Sequence, residues 1–401
     1  MKRLYHTIFN NHLKDFNQMI FIGGPRQVGK TTLAKELLET FPGIYLNWDD
    51  SDDRGLILGS YDTIVKQLPD PKLKASKPLV IMDEVHKYKG WKNHIKGFFD
   101  KYKDRCHIVL TGSAKLDTYK RGGDSLMGRY FSYTVCPLSV REISKDFNFN
   151  KIPSQPVKIE EDLFNQLWIN GGFPEPFLKN STRFFNMWQK LRGQQLFRED
   201  IRDASNIRDF MQFELFADLT KNLVGKSVRY TSLSKHVRVS DQTIRRWFDV
   251  LESNYYGFRL YPWTKNIARS LLKEPKFYLW DWSIVQEEGS KFENFVAVHL
   301  LKLVSYWNEL GLENAGLYYL RTKDKKEIDF VITKNKKVWA LVECKLSETS
   351  KLSPSLFYFK EQTRAQHAFQ VVFDMTYIDG DCFAEEKPII VPARTFLSQL
   401  I

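Results

Sequence analysis

One octapeptide limits this chain more than any other feature. Gly24-Pro-Arg-Gln-Val-Gly29-Lys30-Thr31 fits the pattern GxxxxGK[ST], and its flanks are those the pattern needs. The apolar run Met19–Gly23 reads as a buried strand, and Thr31-Thr-Leu-Ala-Lys-Glu-Leu-Leu reads as the helix it feeds. A sharp strand-to-helix turn with glycine at both ends turns a row of backbone N–H groups and a positive helix terminus toward one point. Phosphate is the ligand for such a point. The pattern predicts that Gly24, Pro25, Arg26, Gln27, Val28 and Gly29 wrap the phosphates of ATP, with Thr32 completing the stretch. Lys30 is expected to bridge the β and γ phosphates and Thr31 to ligate Mg²⁺. A fortuitous glycine-rich turn is the plain alternative, and the strand–helix context weighs against it.

A second stretch supplies the other half of such a site. In Lys77-Pro-Leu-Val-Ile-Met-Asp83-Glu84, four apolar residues predict a buried strand with Asp83 at its C-terminal end, where open α/β sheets place their ligands. Asp83 is expected to hold Mg²⁺ through water, and Glu84 to orient the attacking water as general base. The run His107–Leu110, with Thr111 and Ser113 after it, predicts a neighbouring strand whose hydroxyl contacts the γ-phosphate. With Ile44–Leu46 and Tyr130–Val135, residues 1–146 read as a parallel α/β sheet domain.

At 401 residues the chain is too long for one core, so further domains are expected. Residues 147–158, with two prolines and little periodicity, read as a linker. Residues 159–284 read as a helical and winged helix-turn-helix region. Leu233–Val237, a turn at Arg238–Val239 and a helix Asp241–Ser253 capped by Ser240 give that pattern. Ile244, Trp247, Phe248 and Leu251 fall on one face; Thr243, Arg245 and Arg246, with Gln242, are left for phosphates and base edges. A lever or protein contact is the competing use, and Asp241 and Asp249 blunt the charge.

Residues 285–401 read as a separate α/β domain. Glu327–Ile332 and Val338–Lys345 predict a hairpin linked by Thr333–Lys337. If the turn centres near Lys336, Asp329 lies opposite Glu343, and alternation puts Glu343 and Lys345 on one face. Two carboxylates that share Mg²⁺, with a lysine to orient water, are the parts of a phosphodiester-cleaving site. An exposed hairpin with ordinary charges is the alternative.

These stretches together resemble a known family. Residues 18–145 are similar to the AAA-type P-loop ATPases of bacteria and archaea that carry a C-terminal DUF4143 region. GGPRQVGKTTLAKELL, YLNWDD, VIMDEVHKYKGWKNHIKGFFD, VLTGSAKL and SLMGRYFSYTVCPLSVREI carry the resemblance, with NGGFPEP at 170–176 and REDI at 198–201 downstream. Trp280-Asp281-Trp282-Ser283 departs from it where a glycine is usual. Asp329-x13-Glu343-x-Lys345 resembles the PD-(D/E)xK nuclease signature, and Glu293 matches the helical acidic residue often found upstream, so Glu293, Asp329 and Glu343 are the implied metal ligands. The family also implies a role for Arg129 at the γ-phosphate of a neighbouring subunit, hence a homo-oligomer; an edge arginine paired with a carboxylate is the alternative.

A net charge of +12 favours a polyanionic partner, and DNA is the expected one. Cys106, Cys136, Cys344 and Cys382 form no CxxC pair, so reduced, unmetallated thiols are expected. No apolar run approaches the ~18 residues of a membrane span, and residues 1–16 have no apolar signal core. A cytoplasmic ATPase that acts on DNA, with a nuclease-like C-terminal domain, is the expectation. A regulatory switch that works through protein contacts and carries an inactive nuclease fold competes with it, as does a plain DNA-binding module.

Overall fold

The structure, a computed structural model, describes residues 1–69, 76–113, 126–144, 151–202, 207, 209–264, 273–322, 324, 326–347 and 351–401, without the side chains of 199 and 200. Residues 147–150 of the expected linker and the end of VLTGSAKL lie outside the described residues. The contacts divide the chain into two compact units, Met1–Cys136 and Pro137–Ile401.

In the first unit, β1 (Met19–Gly23), β2 (Gly43–Asn47), β3 (Leu79–Asp83), β4 (His107–Thr111) and β5 (Tyr130–Thr134) form one parallel sheet in the order β2-β3-β4-β1-β5. All five strands fall where the apolar runs predict them. β1, β3 and β4 are buried throughout, which is why they are continuous apolar runs, whereas the edge strands β2 and β5 are partly exposed. The helices are α1 (Leu4–Asp15), α2 (Lys30–Glu36), α3 (Ser51–Leu58), α4 (Tyr61–Lys66) and α5 (Trp91–Tyr102). On α5, Trp91, Ile95, Phe98, Phe99 and Tyr102 form one buried stripe, in a core with Phe21, Val80, Met82 and Leu110 of the sheet.

The second unit begins with α6 (Val140–Ile143), α7 (Glu161–Asn170), α8 (Pro174–Lys179), α9 (Thr182–Gln195), α10 (Phe210–Lys221), α11 (Tyr230–Val237) and α12 (Asp241–Ser253). β6 (Gly257–Leu260) pairs with β7 (Lys276–Leu279). Next come α13 (Glu288–Glu309), β8 (Ala315–Arg321), β9 (Glu327–Lys334), β10 (Lys337–Lys345), α14 (Pro354–Thr363), β11 (His367–Val372), β12 (Ile389–Pro392) and α15 (Ala393–Ser398). The sheet order is β12-β11-β10-β9-β8, antiparallel from β8 to β10 and parallel from β10 to β12.

The middle and C-terminal regions, read separately from sequence, belong to this one unit. Asn294 on α13 is fully buried; its side chain accepts from the Leu279 N–H (2.7 Å) and donates to the Leu279 carbonyl (2.8 Å), which completes β7. Lys302, also on α13, reaches Glu142 (2.5 Å), Ser139 (3.1 Å) and the Pro137 carbonyl. The departing stretch at Trp280–Ser283 packs on NGGFPEP, since a Cβ at Gly172 would come 2.5 Å from the Trp282 ring.

Candidate functional site: the phosphate loop and two charged clusters

The loop after β1 is held by constraints only its own residues meet. Gly24 has φ +140°, and a Cβ there would lie 2.5 Å from the Val135 carbonyl. Gln27 (φ 64°) and Gly29 (φ 102°) are left-handed, so the chain curls back before α2 starts at Lys30. Buried Arg3 braces the loop from outside through the Val28 (3.2 Å) and Cys136 (2.7 Å) carbonyls. Lys30 is buried, its ammonium folded over the loop onto the Gly24 (2.9 Å) and Pro25 (2.8 Å) carbonyls. A glycine-lined cradle with a cation across its mouth fits the phosphates of ATP.

Asp83 ends β3 as the acceptor of three hydroxyls. Thr31 Oγ1 (2.8 Å) and the Tyr45 hydroxyl (2.6 Å) donate to Oδ2, and Thr111 Oγ1 donates to Oδ1. β4 lies between β1 and β3, so Thr111, rather than Ser113 two residues on, ties the acidic strand to the strand beside the loop. Burial and Asp83 push the Tyr45 hydroxyl pKa up. With Thr31 and Asp83 in hydrogen-bond contact, a divalent ion brought in by ATP would find an oxygen from each.

Glu84 is strained and poorly paired. Its backbone is left-handed (φ 57°, ψ 17°), and Oε2 is buried without a hydrogen-bond partner. His86 Nε2 and Lys87 Nζ stand 3.7 Å away, and Lys87 is itself held by Asp49 at 2.6 Å. Burial depresses the His86 pKa, which keeps that ring neutral beside the carboxylate. A carboxylate held in a left-handed turn, with one oxygen that accepts no hydrogen bond, is suited to accept a proton from water. Sequence reasoning missed Tyr45 and His86; the only signal was their place in YLNWDD and DEVHK.

Arg129 lies at the other end of the sheet. Its carbonyl accepts from Met19 N at the start of β1, a whole strand before the phosphate loop, and its guanidinium makes a two-pronged pair with Asp100 on α5 (2.7 and 3.0 Å). Arg129 therefore does not reach the loop of its own chain.

In the second unit, α11 and α12 form the expected pair. Arg238 supplies the left-handed turn, and Ser240 accepts from Thr243 N at 3.1 Å. Ile244, Trp247, Phe248 and Leu251 are buried; Gln242, Arg245 and Arg246 are exposed, with Arg245 stacked 4.0 Å over the Tyr230 ring. Thr243 spends its hydroxyl on Ser240 (2.9 Å), within the cap.

The C-terminal residues are arranged differently from the expected metal centre. Phe330 pairs with Val342 and Val331 with Leu341, which is the register expected from a turn near Lys336. The turn is tighter, however: Asn335 and Lys336 alone make it, both with positive φ, and a bulge between Val338 and Ala340 restores the register. Leu341 faces the core of Leu356 and Phe359 on α14, and alternation puts Glu343 on that side, where it takes Lys345 at 2.8 Å. Asp329 is drawn instead to Lys276 of β7 (3.5 Å) and the Cys344 N–H (2.9 Å). Lys276 is buried and also holds Glu293 (3.0 Å) and Glu327 (2.6 Å). Among the described residues no three His, Cys, Asp or Glu side chains are placed to hold a metal ion. A lysine therefore takes the position between Glu293 and Asp329, two of the expected ligands, while the third, Glu343, pairs with Lys345. One sequence signal could have found it: Lys276 is a lone cation in the aromatic strand KFYLW.

The four cysteines are free thiols, and no helix among the described residues is long and apolar enough to cross a membrane. Family models match residues 16–144 as an AAA domain, 161–288 as a domain of unknown function (DUF8612) and 288–382 as a domain of unknown function (DUF4143). The uncharacterized protein Rv2008c of Mycobacterium tuberculosis is 21% identical over 84% of this chain and 72% of its own length. The uncharacterized protein MJ1637 of Methanocaldococcus jannaschii is 23% identical over 71% of this chain and 68% of its own. Among solved structures, a Walker-type ATPase of Pyrococcus abyssi is similar at 16% identity and a TM-score of 0.43, over 63% of this chain and 89% of that one. With the phosphate loop, the acidic strand end and the matched C-terminal region in one chain, the protein is a P-loop ATPase of the AAA type that carries a C-terminal DUF4143 region.

Proposed function

We propose that this ATPase binds ATP with Mg²⁺ at Thr31 and Asp83, hydrolyses it with Glu84 as base, and acts on DNA through α12. The observation that carries the DNA reading is the outward face of α12, where Arg245 and Arg246 stand exposed beside Gln242 over a fully buried apolar face. The net charge of +12 agrees with it. The test is DNA binding followed by fluorescence anisotropy at several salt concentrations. Arg245→Ala and Arg246→Ala should each weaken binding and lower the salt slope by about one for each phosphate no longer neutralised. Affinity and slope left unchanged in both would make α12 a lever, with any DNA path elsewhere.

A second reading, a switch that works through protein contacts, has its own support. Met187 and Leu191 on α9, and Met211 and Leu215 on α10, are large apolar side chains between 49% and 84% exposed. Surfaces of that kind mark interaction sites when they are contiguous. Cleavage by Asp329, Glu343 and Lys345 needs both carboxylates on one ion, and their separate partners favour a non-cleaving role for the region. Arg129 acts on a neighbour's γ-phosphate only if the ATPase is an oligomer that frees it from Asp100; subunit mixing of Arg129→Ala with Lys30→Ala protein tests that.

A further inference from the structure

Lys276 is unusual on every count that matters for a charged group. Its side chain is 3% exposed, it sits on a strand otherwise made of large apolar residues, and it faces three carboxylates from two elements. Its ammonium lies 2.6 Å from Glu327 Oε1, 3.0 Å from Glu293 Oε1 and 3.5 Å from Asp329 Oδ1. The ammonium donates to Glu293, lies closest to Glu327 and holds Asp329 at ion-pair distance. Burial opposes the charge, but Glu293, Asp329 and Glu327 together hold its pKa above the usual lysine range.

The remaining bonds also close the cluster. The Tyr278 hydroxyl donates to Glu293 Oε1 at 2.7 Å, and Asp329 Oδ2 takes the Cys344 N–H. Arg321 reaches the outer oxygen of Glu327 at 3.5 Å. Gly225 covers Glu293 so closely that a Cβ there would stand 2.8 Å from Oε2. A hydrated divalent ion needs oxygens at about 2.0–2.6 Å and room for its waters. Here the carboxylates spread around a larger cation, and one side is sealed by backbone.

We propose that Lys276 is a built-in cation that takes the place of a divalent ion among Glu293, Glu327 and Asp329, so that the C-terminal region holds its fold without metal. Charge supports the exchange: three clustered, partly buried carboxylates require a cation, and the lysine supplies one that cannot be removed by chelation. The position also ties β7 of the middle region to α13 and β9. Nothing in this cluster depends on whether the chain binds DNA.

Mn²⁺ binding followed by electron paramagnetic resonance on the full, nucleotide-free protein tests it. Wild type and Asp329→Asn should bind the same amount of Mn²⁺; an ion in wild type that Asp329→Asn removes would overturn the proposal. Lys276→Met should gain one equivalent, absent again in the Lys276→Met/Asp329→Asn protein. Because three uncompensated carboxylates threaten folding, circular dichroism with chelator and with Mn²⁺ gives a second measurement. Lys276→Met that folds only with Mn²⁺ supports the exchange. The same variant fully stable in chelator, or unfolded even with Mn²⁺, refutes it. Lys276→Arg, which keeps the charge, should fold in chelator and gain no ion; an ion gained there would also refute it.

Discussion

Replacing Glu84 by Gln separates catalysis from stability, because the structure gives the two effects different sizes. The carboxylate keeps only two loose ion contacts, each 3.7 Å, and its side chain is 20% exposed. Removing ion pairs of that kind costs about 0–1 kcal/mol. Against this, Oε2 is buried without a hydrogen-bond partner, and relieving such a charged oxygen is worth about 1–3 kcal/mol. The left-handed backbone at φ 57° is the same for Gln, so its strain of roughly 1 kcal/mol cancels. Stability should therefore match wild type or rise by up to about 3 kcal/mol. Turnover should fall by about 10²–10⁴, a barrier increase of roughly 2.7–5.4 kcal/mol, because a general base is gone. Phosphate release at saturating ATP and Mg²⁺, nucleotide titration and thermal melting of both proteins give the three quantities. Turnover within tenfold of wild type would refute the role of Glu84. A loss of more than about 2 kcal/mol of stability would show that the carboxylate is structural.

Three other predictions rest on buried groups. Lys302→Met leaves Glu142, which is fully buried, without its cation; chemical denaturation should show a loss of about 3–5 kcal/mol, most of it recovered in Lys302→Met/Glu142→Gln. Gly24→Ala sets a Cβ 2.5 Å from the Val135 carbonyl at φ +140°; nucleotide titration should find ATP binding abolished, and binding at wild-type affinity would contradict the cradle. Burial, then Asp329, push the Glu293 pKa from 4.5 up to about 7, so folding favours its protonated form. That contribution to stability is complete below 4.5 and lost as pH rises through about 7. Wild type should therefore lose stability relative to Glu293→Gln between about pH 5 and 8, and parallel unfolding midpoints across that range would contradict it.

The sequence by itself determined the ATPase sheet and its site. β1, β3 and β4 are buried on both faces, so their residues are apolar in unbroken runs, and local pattern is enough to find them. The phosphate-loop motif is local too, with Gly24, Gly29 and Lys30 within one turn of chain, although Val135 and Arg3 close around it from far along the sequence. The hairpin register at Asp329 and Glu343 matches the expected one only because the bulge between Val338 and Ala340 offsets the tighter turn. β11, by contrast, joins β10 in parallel and β12 joins β11, each across a connection of other elements, and no local pattern names a partner. The site in the second unit shows the limit most plainly. Asp329, Glu343 and Lys345 read as one metal centre when only their own hairpin is considered. Tertiary packing carries β7 onto β9 and α13, and with it an ammonium more than fifty residues away in sequence from the nearest hairpin carboxylate. Electrostatics in a dry interior depends on which charges are brought within a few ångströms, and that proximity is a property of the fold.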